Sequence, residues 1–173
     1  MPKGVCKSHK QILATYYPFF KVNPTAPHVG FCSVSSYWIS HPLYLVVCAL
    51  YGYKLVITRI PSTPDLWMDI IDRHKVTVVF SVPAFVAVLL KSNKVRKFES
   101  LRVVVFAGCP IPQRFIEKVE PLIPNGQVYC CYGSTESDII SVTSSDGTKG
   151  TSSGFPSRNF KIKVRLNLDH DYF

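Results

Sequence analysis

Three apolar runs constrain the fold of this chain more than any other feature. Val76–Val82, Leu101–Phe106 and Gln127–Cys131 are almost continuously hydrophobic, as strands are when both faces of their sheet are covered. Each run stops abruptly at small, hydroxyl or carboxylate residues. Because open α/β sheets bind ligands where their parallel strands end, these stops predict one site along one sheet edge. The stops are Pro83, the run Ala107-Gly108-Cys109-Pro110 and the run Tyr132-Gly133-Ser134-Thr135-Glu136.

Helical segments with recognisable start signals separate the predicted strands. Ser8 and Gln11 have the spacing of a capping box, in which each side chain bonds to the backbone of the other residue. The other four helices start at prolines, which fit the first turn of a helix because their missing N–H is not needed there. These prolines are Pro42, Pro64, Pro83 and Pro112.

Two further segments, Val29–Val34 and Lys54–Ile60, are predicted strands and complete the alternation of strands and helices. This alternation predicts an α/β fold, with a largely parallel sheet flanked by helices. The composition changes after Glu136. Ser141–Ser153 is rich in Ser, Thr, Gly and Asp, which predicts a loop. Phe160–Leu166 alternates apolar and basic residues, which predicts a short, half-exposed β segment at the C-terminal end.

The composition argues against several classes of protein. The 173 residues are 47% hydrophobic and 18% charged, which is typical of a globular domain and not of a disordered chain. The net charge is +9, but Lys and Arg are scattered and no nucleic-acid-binding motif accompanies them, so we expect no nucleic-acid partner. The six cysteines lack metal-ligand spacing and no signal peptide precedes them, so we expect reduced thiols in a cytoplasmic protein.

The segment between Lys21 and Lys54 contains no Lys, Arg, Asp or Glu, so a membrane span has to be considered. Proline, histidine, asparagine and serine residues interrupt this segment, and its continuous apolar part is only Leu43–Tyr53. That part is far shorter than the roughly 20 residues that a spanning helix needs. The segment therefore predicts a buried helix and no transmembrane span.

The run Tyr132–Glu136 offers three kinds of ligand contact at the end of a predicted strand. The Glu136 carboxylate can hold a hard cation such as magnesium through oxygen. The Thr135 hydroxyl can bond to a phosphate, and the Tyr132 ring offers a flat surface to a base. The same residue types also occur in solvated turns that bind nothing, so the residues alone leave both interpretations open.

The run Tyr132-Gly133-Ser134-Thr135-Glu136 resembles the Tyr-Gly-x-Thr-Glu motif of the adenylate-forming enzymes. This superfamily includes acyl-CoA synthetases, 4-coumarate–CoA ligases, firefly luciferase and peptide-synthetase adenylation domains. Ala107-Gly108-Cys109-Pro110 resembles the family's Gly-Gly-Ala-Pro turn, and Phe80–Pro83 resembles its strand and proline before the acyl pocket. Pro2-Lys3-Gly4-Val5 resembles the end of its phosphate loop. The glycines that follow the Thr-Glu motif are matched by Gly150 and Gly154.

The resemblance implies a role for each matching residue. It implies that Tyr132 stacks near adenine, that Thr135 contacts the α-phosphate and that Glu136 binds magnesium. Trp38 falls where the family has a His-His-Gly-Phe-Gly segment, which the sequence Ser36–Ser40 replaces here. The implied ATP-binding residues are Lys3, Gly108, Cys109, Pro110, Tyr132, Gly133, Ser134, Thr135 and Glu136. The implied acyl-pocket residues are Trp38, Phe80, Ser81 and Cys131.

The reaction that the resemblance implies joins a small-molecule carboxylic acid to ATP, giving an acyl-adenylate and pyrophosphate, and then forms a thioester with coenzyme A. ATP, Mg²⁺ and coenzyme A are therefore the expected cofactors. The Ser/Thr/Gly-rich start of the phosphate loop does not precede Pro2, and Phe173 precedes the point where the family has a hinge and a small C-terminal domain with a catalytic lysine. We expect residues 1–173 to be a partial AMP-binding domain, with no complete catalytic set and little ligase activity alone.

A different class of function stays open beside the ligase. The chain could be a non-catalytic remnant that binds a protein partner or a fatty acyl ligand, although the intact Tyr132, Thr135 and Glu136 favour the ligase. Relatives are often peroxisomal through a C-terminal address, and Asp171-Tyr172-Phe173 is not one, so a peroxisomal location is an alternative for a longer form only.

Overall fold

The described part of the chain forms one seven-stranded sheet with helices on both faces. The computed structural model describes residues 4–15, 26–59, 63–144, 152–157 and 160–163. The strands are β1 (Val29–Cys32), β2 (Lys54–Val56), β3 (Val78–Ser81), β4 (Val103–Ala107), β5 (Gln127–Ser134), β6 (Asp138–Ser144) and β7 (Phe155–Pro156). The helices are α1 (His9–Thr15), α2 (Ser40–Tyr51), α3 (Pro64–His74), α4 (Pro83–Leu89) and α5 (Gln113–Val119), and a 3-10 turn (Glu120–Leu122) follows α5.

The strand order across the sheet is β2-β1-β3-β4-β5-β6-β7. Strands β1 to β5 pair in parallel, and β6 and β7 add two antiparallel strands at one end. Helices α3, α4 and α5 pack their apolar residues on one face of the sheet, and α2 packs on the other. This arrangement confirms the predicted α/β fold, a largely parallel sheet flanked by helices.

The central strand β4 is buried on both faces, which explains its continuous apolar sequence. Val103, Val104, Val105 and Phe106 are each at most 2% exposed. Val104 and Phe106 belong to the cluster that includes α3, α4 and α5, whereas Val103 and Val105 belong to the cluster on the α2 side. Full burial of a Val or Phe side chain contributes about 1.5–3 kcal/mol. The strand that carries the Ala107–Pro110 turn is therefore firmly held.

The predicted signals at helix ends make the expected contacts. The Ser8 N–H donates to Gln11 Oε1 at 2.8 Å and the Gln11 N–H donates to Ser8 Oγ at 3.2 Å, so the capping box is confirmed. Gly52 ends α2 in the left-handed conformation, with φ 67°. Helix α2 begins at Ser40, however, so Pro42 lies within its first turn and not at its first position.

The uncharged segment between Lys21 and Lys54 contains β1 and α2 in its described part. Helix α2 has 12 residues and buries Leu43, Tyr44 and Cys48 against the sheet. Of the helices in the described part of the chain, none combines the length and the hydrophobicity that crossing a bilayer requires.

The ends of three strands differ from the prediction. Strands β1 and β2 end at Cys32 and Val56, earlier than predicted. Strand β5 continues to Ser134, three residues beyond the predicted end at Cys131, because β6 pairs with this extension. Tyr132, Gly133 and Ser134 are therefore the last residues of a strand and not a loop that follows it.

Two predictions for the C-terminal part were wrong. The predicted loop Ser141–Ser153 begins inside β6, because Val142 and Thr143 favour strand geometry and the edge of β5 offers them a partner. Residues 145–151 lie outside the described residues. The described part of the predicted strand Phe160–Leu166, residues 160–163, forms no strand, and the Phe160 N–H instead donates to the Ser157 carbonyl at 2.9 Å. The short β segment is Phe155–Pro156, which pairs with β6.

Candidate functional site

The connections of β1 and β3 leave in opposite directions across the sheet. From β1 the chain passes through α2 to β2 on one side, and from β3 it passes through α4 to β4 on the other. The two helices accordingly pack on opposite faces. Such a reversal leaves a crevice outside the carboxyl ends of the two strands, where α/β proteins bind ligands. The carboxyl ends of β4 and β5 continue the same edge.

The predicted acyl-pocket residues divide between the two faces of the sheet at this crevice. Phe80 and Cys131 pack in the same cluster as α2. Ser81 follows Phe80 on the strand and points to the opposite face, where it is fully buried and accepts a 2.8 Å hydrogen bond from Ser33 Oγ. Trp38 lies in the turn between β1 and α2 and is 66% exposed. The structure thus brings Phe80 and Cys131 to one face and separates Ser81 from them.

The end of β4 forms an open turn beside the crevice. Gly108, Cys109 and Pro110 are all exposed. Gly108 has φ 97°, a conformation that glycine adopts readily and other residues rarely do. A Cβ atom there would meet only Val82, at 3.8 Å, so the backbone conformation and not crowding requires the glycine. Exposed backbone is therefore available to a ligand between the ends of β3 and β5.

The Tyr132–Glu136 motif forms the tip of the β5–β6 hairpin. Tyr132 is 58% exposed at the end of β5, and Thr135 and Glu136 are exposed in the turn. Ser134 Oγ lies 2.7 Å from Ser137 Oγ and accepts a 3.2 Å hydrogen bond from the Ser137 N–H, so Ser134 closes the turn. An aromatic ring, a hydroxyl and a carboxylate are thus displayed together on one hairpin at the carboxyl edge of the sheet.

Gly133 lies where the two hairpin strands approach too closely for a side chain. The pairing of β5 with β6 shifts by one residue between Tyr132 and Gly133. A Cβ atom on Gly133 would lie 1.9 Å from the carbonyl oxygen of Asp138. The glycine of the motif is therefore required by the packing of the hairpin itself.

A buried ion pair beside this hairpin was not predicted from the sequence. Lys7 Nζ lies 2.7 Å from Asp138 Oδ1, and the two side chains are only 6% and 3% exposed. Lys7 Nζ also donates to the backbone carbonyl of Glu136 at 3.4 Å. No local sequence pattern connects Lys7 with Asp138, because they lie near opposite ends of the described chain. Lys3, which was predicted to contact the nucleotide, lies outside the described residues.

Glu136 is the candidate magnesium ligand. Among the described residues, no group of three His, Cys, Asp or Glu side chains is arranged to hold a metal ion. A single exposed carboxylate nevertheless suits magnesium, which proteins commonly bind through one or two carboxylates together with water and substrate phosphates. The residues present therefore fit Mg²⁺ that arrives with a nucleotide.

Three buried thiols on the α2 side of the sheet have raised pKa values, which favours their neutral form. Burial raises the pKa of Cys32 from its usual 9.0 to about 11 and the pKa of Cys48 to about 12. Burial also raises the pKa of the Cys131 thiol. Since the thiolate is the reactive form of a cysteine, burial favours a packing role for these three side chains.

The architecture defines a class, the open α/β proteins that bind a ligand at the carboxyl ends of parallel strands. Within that class, the sequence profile of the family described as "AMP-binding enzyme" matches residues 1–171. The chain belongs to the AMP-binding enzyme family.

Two curated relatives illustrate the sequence similarity. 4-Coumarate–CoA ligase 1 of Arabidopsis thaliana is 26% identical over 149 residues, which cover 81% of this chain and 26% of that protein. Acyl-CoA synthetase 7 of Caenorhabditis elegans is 27% identical over 177 residues, which cover 94% of this chain and 33% of that protein. The chain thus spans between a quarter and a third of the length of these relatives.

Two solved structures illustrate the similarity of the fold. A benzoate CoA ligase from Burkholderia xenovorans LB400 matches with a TM-score of 0.80 at 20% identity, over 99% of this chain and 36% of that one. O-succinylbenzoate coenzyme A synthetase from Bacillus subtilis, solved in complex with ATP and magnesium ion, matches with a TM-score of 0.75 at 22% identity, over 92% of this chain and 33% of that one.

Proposed function

We propose that this chain is the nucleotide-binding part of a ligase that activates a carboxylic acid with ATP. In the whole protein the reaction gives an acyl-adenylate and pyrophosphate, followed by an acyl-CoA thioester. The observation that carries the proposal is the β5–β6 hairpin, where Tyr132, Thr135 and Glu136 are exposed together at the carboxyl edge of the sheet. Because the chain belongs to the AMP-binding enzyme family, we expect the ligand at this hairpin to be a nucleotide.

The nucleotide is proposed to lie across the ends of β4 and β5. Tyr132 offers its exposed ring to the adenine, and the Thr135 hydroxyl donates to a phosphate oxygen. The exposed Gly108–Pro110 turn, which begins without a side chain at Gly108, lets the nucleotide approach the backbone closely. Ser134 holds the hairpin turn through its Oγ, and Gly133 lets the two hairpin strands approach closely.

Glu136 is proposed to hold Mg²⁺ through its carboxylate while the nucleotide phosphates supply further oxygen ligands. When bound, the ion offsets the negative charge that builds up on the phosphates as pyrophosphate leaves. The protein's own contribution is to present one carboxylate at a turn that is fixed by the Ser134–Ser137 contact and by Lys7.

The acid is proposed to occupy the crevice at the ends of β1 and β3. Phe80 and Cys131 line its α2 side, and the exposed Trp38 stands at its entrance. Ser81 supports the end of β3 from the opposite face of the sheet through its hydrogen bond with Ser33. The neutral Cys131 thiol and the Phe80 ring make this side of the crevice apolar, which suits the hydrocarbon part of an acid.

Residues 1–173 are proposed to form part of a larger AMP-binding domain, since the relatives are about three times as long. The chain alone is expected to bind Mg²⁺-ATP weakly and to form little acyl-adenylate, because it matches only 26% and 33% of the length of these relatives. Coenzyme A binding is expected only in a longer form.

Isothermal titration of the chain with ATP in the presence of Mg²⁺ tests the proposal. Glu136→Gln keeps the size of the side chain and removes its charge, so we expect affinity for Mg²⁺-ATP to fall about tenfold, or about 1.4 kcal/mol. The affinity for ATP without Mg²⁺ should change little. Glu117→Gln, an exposed glutamate on α5, is the matched control and should bind as the unmodified chain does.

Equal affinities for the Glu136→Gln variant, the Glu117→Gln variant and the unmodified chain would remove Glu136 from the site. An unmodified chain that binds a fatty acid but no ATP would instead favour the non-catalytic binding module. Efficient acyl-adenylate formation by this chain alone would contradict its assignment as an incomplete catalyst.

A further inference from the structure

The Lys7–Asp138 ion pair differs from the other ion pairs in the described part of the chain. Lys94 and Asp65 also approach to 2.7 Å, but their side chains are 69% and 55% exposed. Arg96 pairs with Asp72 at the surface of α3. The Lys7 and Asp138 side chains are 6% and 3% exposed, so this pair has been removed from water.

A buried ion pair contributes little net stability, because removing both charges from water offsets much of their attraction. Its best-established use is to fix one arrangement among several, since each charge, once buried, has to meet its partner. The position of the pair therefore matters more than its strength.

The position of Lys7 links two parts of the candidate site. Lys7 directly precedes Ser8, which caps α1, and follows Gly4 by three residues, so it lies at the end of the phosphate-loop sequence. Its ammonium group bonds to the backbone carbonyl of Glu136 and to the carboxylate of Asp138. One cation thus bridges the turn that carries Thr135 and Glu136.

Asp138 is held in the matching position by the backbone of the hairpin. It begins β6 opposite Ser134 and has φ 61°, in the left-handed region. Its carbonyl oxygen occupies the space that a side chain on Gly133 would need. The backbone that carries the carboxylate is therefore held by the same close approach that shapes the motif.

We propose that Lys7 and Asp138 are a positioning pair, which docks the end of the phosphate-loop segment onto the Thr135–Glu136 turn so that both reach one nucleotide. The consequence for ligand binding rests on the proposed function, whereas the docking itself does not. Because Lys7 contacts the Glu136 carbonyl, we expect the pair to act on the phosphate side of the site.

Hydrogen exchange measured by mass spectrometry tests the docking in the full chain. Lys7→Met and Asp138→Asn each remove one charge, and asparagine tolerates the positive φ. We expect amide exchange to accelerate about tenfold or more in residues 4–8 and 133–138 but not in α3, a difference of about 1.4 kcal/mol. Lys7→Arg keeps the charge and should restore much of the protection. Lys94→Met removes the exposed Lys94–Asp65 ion pair, which has the same 2.7 Å distance, and is the matched control.

If a single variant fails to fold, the double variant Lys7→Met/Asp138→Asn still tests the docking. It removes both charges of the pair, so neither charge is left buried without its partner. Since both residues act through one contact, the double variant should exchange about as fast as either single variant in the two segments. Protection that is unchanged in both segments would overturn the docking. Faster amide exchange throughout the chain, including α3, would also overturn the docking, because the pair would then stabilise the whole fold and not this contact alone.

Titration with Mg²⁺-ATP separates this inference from the proposed function. If the unmodified chain binds and the double variant binds about tenfold more weakly, the pair positions the site. If the unmodified chain binds and the double variant binds equally well, the pair does not serve nucleotide binding and the positioning role is wrong. If the unmodified chain does not bind ATP at all, the proposed function fails, and local hydrogen exchange alone decides the docking.

Discussion

Gly133, Gly154 and Gly30 are each found where another atom occupies the place of a Cβ. At Gly154, which also has φ 85°, that atom is the Val142 carbonyl oxygen at 2.2 Å. Gly154 was predicted only from the family resemblance, and the structure supplies its physical reason, the close approach of this segment to β6. Gly4 differs, because nothing lies within 4 Å of its Cβ position.

Gly133→Ala is expected to destabilise the protein through the hairpin. The new methyl group would lie 1.9 Å from the Asp138 carbonyl oxygen, and such overpacking commonly costs about 1–3 kcal/mol. Gly4→Ala is the matched control, and its free energy of unfolding should stay within about 0.5 kcal/mol of the unmodified chain. Urea denaturation measures both. Equal stability of the two variants would show that the hairpin strands are further apart than described.

Helix α2 packs on the sheet with Tyr44 in close contact with both β1 and β3. The Tyr44 hydroxyl donates to the Val78 carbonyl at 2.9 Å within the buried cluster. A Cβ atom on Gly30 would lie 2.7 Å from that hydroxyl oxygen. Tyr44 therefore leaves no room for a side chain at Gly30.

A double-mutant cycle on Gly30 and Tyr44 tests this packing. Gly30→Ala should cost about 1–3 kcal/mol through overpacking, and Tyr44→Phe about 1 kcal/mol through the lost hydrogen bond. The double variant should cost less than the sum of the two, because removing the hydroxyl makes room for the methyl group. Strict additivity in thermal denaturation would mean that the two residues do not compete for the same space.

Elements with a strong local signal were predictable from the sequence, and elements that depend on a distant partner were not. The continuous apolar residues of β4 and the Ser8–Gln11 capping box are local signals, and both gave the observed elements. The extension of β5 to Ser134 depends on pairing with β6, so the Ser- and Thr-rich sequence of Ser141–Ser144 concealed it.

For the whole molecule, the sequence indicated which candidate residues lie along one sheet edge but not how these residues are arranged there. The ends of β3, β4 and β5 do lie along one edge, as the three apolar runs predicted. The separation of Ser81 from Phe80 and Cys131 follows from side-chain alternation in the folded sheet. The Lys7–Asp138 pair joins two residues that are far apart in the sequence, and no local pattern predicts such a contact.

The buried thiols predict how stability depends on pH. The pKa of Cys32 rises from 9.0 to about 11 and that of Cys48 to about 12 on burial, so the folded state holds these protons more tightly than the unfolded state. Their contribution is therefore complete below about pH 9 and is lost as the pH rises toward 12. Urea denaturation from pH 7 upward should show falling stability above about pH 9, with a smaller slope for Cys48→Ala. A slope that Cys48→Ala leaves unchanged would contradict the buried, neutral state of this thiol.

Amide NMR of the chain with and without Mg²⁺-ATP locates the bound nucleotide. We expect signals from residues 107–109 and 132–136 to shift on addition of Mg²⁺-ATP, while those of α3 stay in place. The same shifts should weaken in the Glu136→Gln variant. A spectrum that does not change, or shifts confined to α3 and its surroundings, would contradict a nucleotide site at the carboxyl ends of β4 and β5.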